Sequence, residues 1–158
     1  MIVLKFQKEI KGDSTAAGFE DHIVLESVEF GAARSIIIPT GKTARESGVP
    51  SFTEMTIAKK FDIASTELFM QSVSGASLGQ GVITYLQTDM EGNPEPFLII
   101  TLQDPIITSY QNTSHGDRPV EKFRMNFTKI QLAYTQYSGE GAKKASPKGW
   151  DLLASKAA

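Results

Sequence analysis

A chain of 158 residues fits one domain that can enclose its own hydrophobic core without a metal ion or a disulfide. Sixteen basic and eighteen acidic residues give a net charge of −2, which argues against a general attraction to nucleic acid or anionic membranes. The absence of cysteine excludes disulfides, cysteine-ligated metals and thiol catalysis, and two histidines are too few for a multi-histidine metal site.

The N-terminal run, residues 2–7, is rich in β-forming side chains and predicts the first strand. Lys5 interrupts the run, which is also too short for the core of a signal peptide. No stretch approaches the ~20 apolar residues of a membrane span. We therefore expect a chain that is made in the cytoplasm, does not insert into a membrane and, if secreted, uses no signal peptide of its own.

Residues 22–31 predict a second strand with two different faces. Val28 and Phe30 point to one side, while Ser27 and Glu29 point to the other, because side chains alternate along a strand. This pattern indicates a wall with one face against a core and the other face against water.

A third apolar run, residues 35–38, ends at Pro39 and is followed by a polar segment over residues 39–50. We expect a long surface loop here, and loops of this length are uncommon unless they have a role. Its candidate functional positions are Thr40, Gly41, Lys42, Thr43, Arg45 and Glu46. Its Gly-Lys-Thr sequence is not a phosphate-binding loop, since Ile36 stands where that motif needs a glycine.

Residues 51–61 alternate and predict a strand, and one helix is predicted over about 65–74. The mostly apolar face of the strand contains Thr53, Met55, Ile57, Lys59 and Phe61. For the helix we expect Ser65 as the N-cap, Glu67 in the first turn and Gly75 at the C-terminal cap. Its predicted inward face contains Leu68, Phe69, Ser72 and Val73.

The second half of the chain predicts further strands and then a flexible C-terminal tail from about residue 138. The shorter strands are expected over residues 80–88, 97–103 and 106–111. The longest runs from Val120 to about Tyr137, and its apolar face changes parity after Thr128, which requires a bulge, a bend or a second partner. The whole chain, residues 1–158, therefore predicts one mainly β domain: a small β-barrel or two packed antiparallel sheets with one short flanking helix.

No arrangement of residues predicts catalysis. His22 lies beside Asp21 and His115 lies near Asp117, but both histidines fall in polar loops or at a strand edge. No Gly-x-Ser-x-Gly nucleophile motif is present. We therefore predict no catalytic, cofactor-binding or metal-binding residue, and a protein that is not an enzyme.

Several segments, in matching order along nearly the whole chain, resemble the Hcp family of type VI secretion systems. The most specific is Ile57–Phe69, which resembles the family's Thr-Lys-x-x-Asp-x-Ala-Ser-Pro-Lys-Leu element with Thr66 in place of the usual proline. Two departures are Asp13 for the family's glutamate and Val28 for its aromatic residue. The other segments are Ile10–Ser14, His22–Gly31, Phe97–Tyr110, Asp117–Pro119, Met125–Ile130 and Gly149–Trp150.

The resemblance implies a structural tube subunit whose copies form six-membered rings around a lumen. The rings would stack into the inner tube of a contractile injection machine. The implied partners are further copies of the chain, a VgrG-type spike protein, a contractile sheath around the tube and effector proteins in the lumen. Expulsion by the contracting sheath would account for secretion without a signal peptide.

Within this framework we expect Ser27 and Glu29 to face the lumen, and the 39–50 loop to connect stacked rings through charged side chains. Exposed ion pairs contribute only ~0–1 kcal/mol each, so such stacking would be reversible and sensitive to salt. Two alternatives stay open from the sequence. One is a monomeric ligand-binding β-sandwich module, and the other is a related contractile-phage tail-tube protein.

Overall fold

The computed structural model describes all residues from Met1 to Ala158, and slightly less than half of them lie in the strands of two antiparallel sheets. The large sheet contains, in spatial order, β2 (Ile23–Leu25), β1 (Ile2–Phe6), β9 (Gln80–Thr88), β10 (Pro94–Gln103), β13 (Lys129–Ser138), β15 (Lys148–Asp151) and β16 (Lys156–Ala157), and β14 (Gly141–Lys144) pairs with the end of β13. The small sheet contains, in spatial order, β3 (Ser27–Glu29), β8 (Met55–Lys60), β12 (Val120–Asn126) and β11 (Ile106–Thr113).

The predicted mainly β fold with one short helix is confirmed. A single core cluster joins the two sheets, with Leu4 and Ile100 from the large sheet and Ile57 and Phe123 from the small one. Phe127, which lies between β12 and β13, is also buried in this cluster. The helix α1 (Ser65–Ser74) flanks the core, and it has neither the length nor the apolar character to cross a membrane.

The change of parity near Thr128 is the point where the chain passes from one sheet to the other. The single long strand predicted here is two strands, β12 in the small sheet and β13 in the large sheet. At the crossing, the backbone N–H of Thr128 donates to the carbonyl of Gln103 at 3.0 Å. The bend lets Phe127 and Ile130 both enter the core although they lie on opposite parities of the sequence.

The segment predicted as one loop over residues 39–50 belongs to a projecting hairpin. This arm, residues 32–52, contains β4 (Ala32–Ala33), β5 (Ile36–Ile37), β6 (Glu46–Ser47) and β7 (Ser51–Phe52). β4 pairs with β7 and β5 pairs with β6, so Glu46 and Ser47 of the expected loop are paired strand residues. The loop prediction missed β6 because its residues are polar, and a hairpin exposed on both sides has no hydrophobic alternation to reveal it.

The segment from residue 138 onward is not a free tail. It adds β14, β15 and β16 to the large sheet, and Ile130 of β13 pairs with Trp150 of β15. Backbone hydrogen bonds to an existing strand hold this Gly-, Ala- and Lys-rich segment, and such bonds do not depend on an apolar sequence pattern.

The helix has the predicted bounds, but its cap and its inward face differ from the prediction. Ala64 occupies the N-cap position without a side-chain hydrogen bond, while Gly75 closes the helix in the left-handed conformation at φ 67°, as expected. Ser65, Leu68 and Gln71 are buried. Of the four predicted inward residues only Leu68 is buried, and the apolar stripe of the helix instead faces solvent.

Candidate assembly surfaces

A buried polar network lies where the small sheet meets the start of α1. The ammonium of Lys59 donates to Glu121 Oε1 at 2.6 Å and to Asp62 Oδ1 at 2.7 Å, and the side chains of Lys59 and Glu121 are completely buried. Ser65 Oγ donates to Glu121 Oε1 at 2.7 Å, and the Tyr110 hydroxyl donates to Glu121 Oε2 at 2.6 Å. Four elements, β8, β11, β12 and α1, are thereby joined by charge-assisted hydrogen bonds.

The network has structural rather than catalytic geometry. Burial, followed by the hydrogen bond from its hydroxyl to Glu121, raises the pKa of Tyr110 to about 12. The proton therefore stays on the phenol, and the oxygens of Glu121 are occupied by donors from Lys59, Ser65 and Tyr110. No group of three or more acidic or histidine side chains is placed to hold a metal ion.

Sequence reasoning missed this network although the signal was present. Lys59 falls on the mostly apolar face of its strand, and Glu121 shares the parity of the buried Phe123. A charged residue at a buried parity requires a partner of opposite charge at a matching position. In the register of the sheet Glu121 lies directly opposite Lys59.

The outward face of the small sheet is polar, as the alternation predicted. Ser27 and Glu29 are exposed, whereas Val28 and Phe30 pack against the core. In register with these two positions, the same face carries Thr56, Ala58, Lys122 and Arg124. The face therefore offers mixed charge and hydroxyl groups to solvent, and no apolar side chain of β3 takes part in it.

All six candidate loop residues lie on the arm, and all six are exposed. Lys42 and Glu46 already form an exposed ion pair with each other at 3.5 Å. Arg45 is the remaining charged candidate and takes part in none of the six salt bridges of the structure. The tip thus offers fewer free charges to a partner than its sequence indicates.

The stem of the arm carries exposed apolar side chains that sequence reasoning did not assign to a surface. We define the arm stem as Ile36, Ile37, Ile38 and Val49, which are between one half and three quarters exposed. An open cleft of about 470 Å³ lies at the base of the arm, beside Phe52 and Trp150. The apolar run seen in the sequence at residues 35–38 therefore contributes exposed side chains to the arm and none to the core cluster.

A second apolar surface lies on and next to the helix. We define the helix stripe as Ile63, Phe69, Met70 and Val73, each more than half exposed. Phe69, Met70 and Val73 follow a spacing of three and four residues, which places them on one side of α1. The rings of Phe69 and Tyr110 pack in a T-shaped arrangement with their centroids 5.7 Å apart, so the helix lies along β11.

Comparison with known proteins links this geometry to one family. A family model described as "Type VI secretion system effector, Hcp" matches residues 3–134, and no curated protein matches the chain. A solved type six secretion system protein superposes with a TM-score of 0.88 at 22% identity, covering 99% of this chain and 98% of that one.

Two further structures have the same fold. Hcp1 from Salmonella typhimurium gives a TM-score of 0.78 at 21% identity, over 99% of this chain and 97% of its own. A type VI secretion system effector from Yersinia pestis gives 0.73 at 21% identity, over 96% and 99% of the two chains. At these identities the superpositions show a shared fold over the whole length of the chain.

Proposed function

The chain belongs to the Hcp family of type VI secretion system proteins, and from this premise we propose that it is a non-enzymatic tube subunit that assembles into six-membered rings. The observation that carries the proposal is the small sheet, which has two open edges and one water-facing polar side. Rings of this kind need one surface on each copy to fit a different surface on the next.

The direction of the strands favours edge-to-edge assembly. The four strands of the small sheet alternate in direction, so its edge strands β3 and β11 run in opposite directions. When β11 of one copy meets β3 of the next, the antiparallel pattern continues without a break. An edge strand with unpaired backbone groups is a ready site for such pairing, and closing the ring removes both free edges of the small sheet.

Such a ring directs the polar face of the small sheet to one side of the closed wall. We place this face toward the lumen, which puts Ser27 and Glu29 in contact with the channel. The opposite face of the sheet packs in the core through Met55, Ile57 and Phe123. Cargo would therefore meet hydroxyl and charged groups. Substitutions on this polar face would change the contacts with cargo without disturbing the fold.

In this proposal the rings stack through the arm and form the inner tube of the secretion machine. Residues 40–45 belong to the connection between β5 and β6 at the closed end of the arm, and together with Glu46 they would be the first to reach the next ring. The partners are further copies of the chain, a VgrG-type spike at the tube end, the contractile sheath around it and effectors in its lumen. The chain is made in the cytoplasm, needs no cofactor and leaves the cell by sheath contraction instead of a signal peptide.

Electron microscopy with a lumen variant tests the proposal. Negative-stain images of the purified chain should show rings with a central hole and six-fold symmetry. Glu29→Trp should leave these rings intact. It should change the amount of effector that co-purifies, because the indole side chain would occupy part of the channel. Glu91→Trp, at an exposed turn, is the matched control and should not change effector retention. Single particles without a hole would contradict the proposal and favour a monomeric ligand-binding module.

A further inference from the structure

The polar face of the small sheet is positively charged, although the chain as a whole carries a net charge of −2. The charged side chains on this face are Lys60, Lys122 and Arg124, with Glu29 and Glu54 as the only carboxylates. Three cations against two carboxylates leave an excess of one positive charge. The sign of the face therefore results from where the charges lie and not from the composition of the chain.

Lys122 and Arg124, which we call the basic pair, lie two residues apart on β12 and are both exposed. No carboxylate lies directly beside either of them. The residues opposite them on the two adjacent strands are uncharged: Thr56, Ala58, Ser109 and Gln111. Neither cation takes part in any of the six salt bridges of the structure. Both charges are therefore available to a partner.

The two carboxylates of the face do not neutralise the basic pair. Glu54 precedes β8 and already accepts a hydrogen bond from the Thr108 hydroxyl. Glu29 pairs with Thr56, which in turn pairs with Arg124, so Glu29 and Arg124 are separated by two strand spacings. Two spacings amount to about 10 Å, a distance at which exposed charges are largely screened at physiological salt.

The composition of the face favours a polypeptide partner over a nucleic acid. Sites for single-stranded nucleic acid combine cations with aromatic side chains on which the bases stack. The aromatic residues of these four strands are Tyr110 and Phe123, and both point to the core side of the sheet. Glu29 and Glu54 would also repel a continuous phosphate backbone. A polypeptide with spaced carboxylates can instead contact the basic pair and avoid both glutamates.

We propose that the basic pair makes the channel selective for acidic cargo, namely polypeptides whose exposed surface is rich in aspartate and glutamate. The inference rests on the proposed ring, with this face toward its lumen, and adds the chemical class of the cargo. The guanidinium of Arg124 can bind a carboxylate through two parallel hydrogen bonds, and the ammonium of Lys122 adds a mobile point charge. Because every copy in the ring repeats the pair, individually weak contacts combine.

Fluorescence anisotropy with labelled peptides tests this selectivity. The probes are two Gly-Ser peptides of equal length that carry either glutamate or glutamine at every fourth position. Purified rings should bind the glutamate peptide at least about tenfold more tightly than the glutamine peptide, since several copies contribute. Lys122→Gln with Arg124→Gln should abolish this preference, whereas Lys122→Arg with Arg124→Lys keeps both charges and should retain it.

A charge-matched control separates the basic pair from the net charge of the ring. Lys143→Gln with Lys144→Gln removes two exposed cations from β14 and should leave the preference unchanged. If the double substitution in the basic pair prevents ring formation, Lys122→Gln alone should still weaken binding of the glutamate peptide.

Three results would count against the account, and they are distinguishable. Intact rings that bind both peptides equally, or that keep the preference without the basic pair, would overturn the inference and leave the ring in place. Tighter binding of a single-stranded oligothymidylate than of the glutamate peptide would assign the face to nucleic acid and also overturn it. A natural chain that forms no rings in light scattering would instead count against the proposed function.

Discussion

Lys59 and Glu121 form an ion pair that is entirely removed from water. Its burial carries a desolvation penalty, and the surrounding hydrogen bonds offset that penalty. Removing a charge from water costs several kcal/mol, which is recovered only with good geometry and further hydrogen bonds. Here the carboxylate of Glu121 also accepts from Ser65 and Tyr110, and the backbone N–H of Ala64 donates to Asp62 at 2.9 Å. The network therefore fixes where the helix begins relative to the small sheet.

Removing the buried ammonium of Lys59 should be far more damaging than removing that of its exposed neighbour Lys60. Lys59→Met leaves Glu121 and Asp62 without their cation, and we expect a loss of ~3–5 kcal/mol in the free energy of unfolding, measured by urea denaturation. Lys60→Met, one residue further along and exposed, is the control and should change stability by less than ~0.5 kcal/mol. Equal effects of the two substitutions would show that the buried pair does not stabilise the fold.

The Tyr110 hydroxyl predicts a stability change at alkaline pH. Its pKa in the folded chain is about 12, above the ordinary value of 10.0, so the folded state holds this proton more tightly than the unfolded state. The contribution of the hydroxyl to stability is complete below pH 10 and is lost as the pH rises toward 12. The urea midpoints of the natural chain and Tyr110→Phe should therefore converge across this range. A constant difference between them would contradict the assignment.

At the scale of single residues, the alternation along strands predicted which side chains face inward. The charge of a side chain was a poorer guide to its burial. Alternation correctly placed Val28 inward and Glu29 outward. The same alternation placed Lys59 inward, but a general preference of lysine for the surface obscured the consequence. Its partner Glu121 lies 62 residues away in the sequence, and only the pairing of β8 with β12 brings the two together.

Among the elements, the arm and the helix show where hydrophobic patterns mislead. The isoleucines of β5 and the apolar stripe of α1 have the composition of core elements, yet both face solvent. A sequence pattern reports that an apolar face needs a partner, and it does not say whether that partner lies in the same chain. Within this chain neither face is covered.

Shortening the arm should separate ring formation from stacking. Replacing residues 34–50 by Asn-Gly joins Ala33 to Ser51, which are paired in the arm, through a two-residue hairpin turn. The removed residues include none of the core cluster, so the melting temperature and the ring should be nearly unchanged while tube formation and secretion are lost. A shortened chain that still stacks and is secreted would show that the arm is a solvent-exposed hairpin without a partner.

The response of the tubes to salt distinguishes the tip of the arm from its stem. The charged tip alone predicts tubes that dissolve as salt rises, but Lys42 and Glu46 are already paired within the arm. The exposed isoleucines of the stem shift our expectation, because apolar contacts are not weakened by screening. We expect tubes to persist, by sedimentation, in about 1 M NaCl, where charges are screened beyond ~3 Å. Complete dissociation there would assign the contact to charged side chains.

On the scale of the whole molecule, the fold class followed from strand spacing and the family from segments in a matching order. The order of strands within the sheets did not follow, because β1 pairs with β9 and β3 pairs with β8 across long stretches of sequence. Local patterns contain no information on such distant pairs. The sequence likewise did not predict that residues after 138 complete the large sheet, since backbone pairing holds them there.

The central claim is that the chain closes into rings, and its mass in solution tests this most directly. Size-exclusion chromatography with light scattering should give six times 17.2 kDa, about 103 kDa, without added metal or nucleotide. Because edge pairing and apolar contacts do not depend on charge alone, this mass should hold across salt concentrations. A mass of 17.2 kDa at every protein concentration up to tens of micromolar would contradict the account.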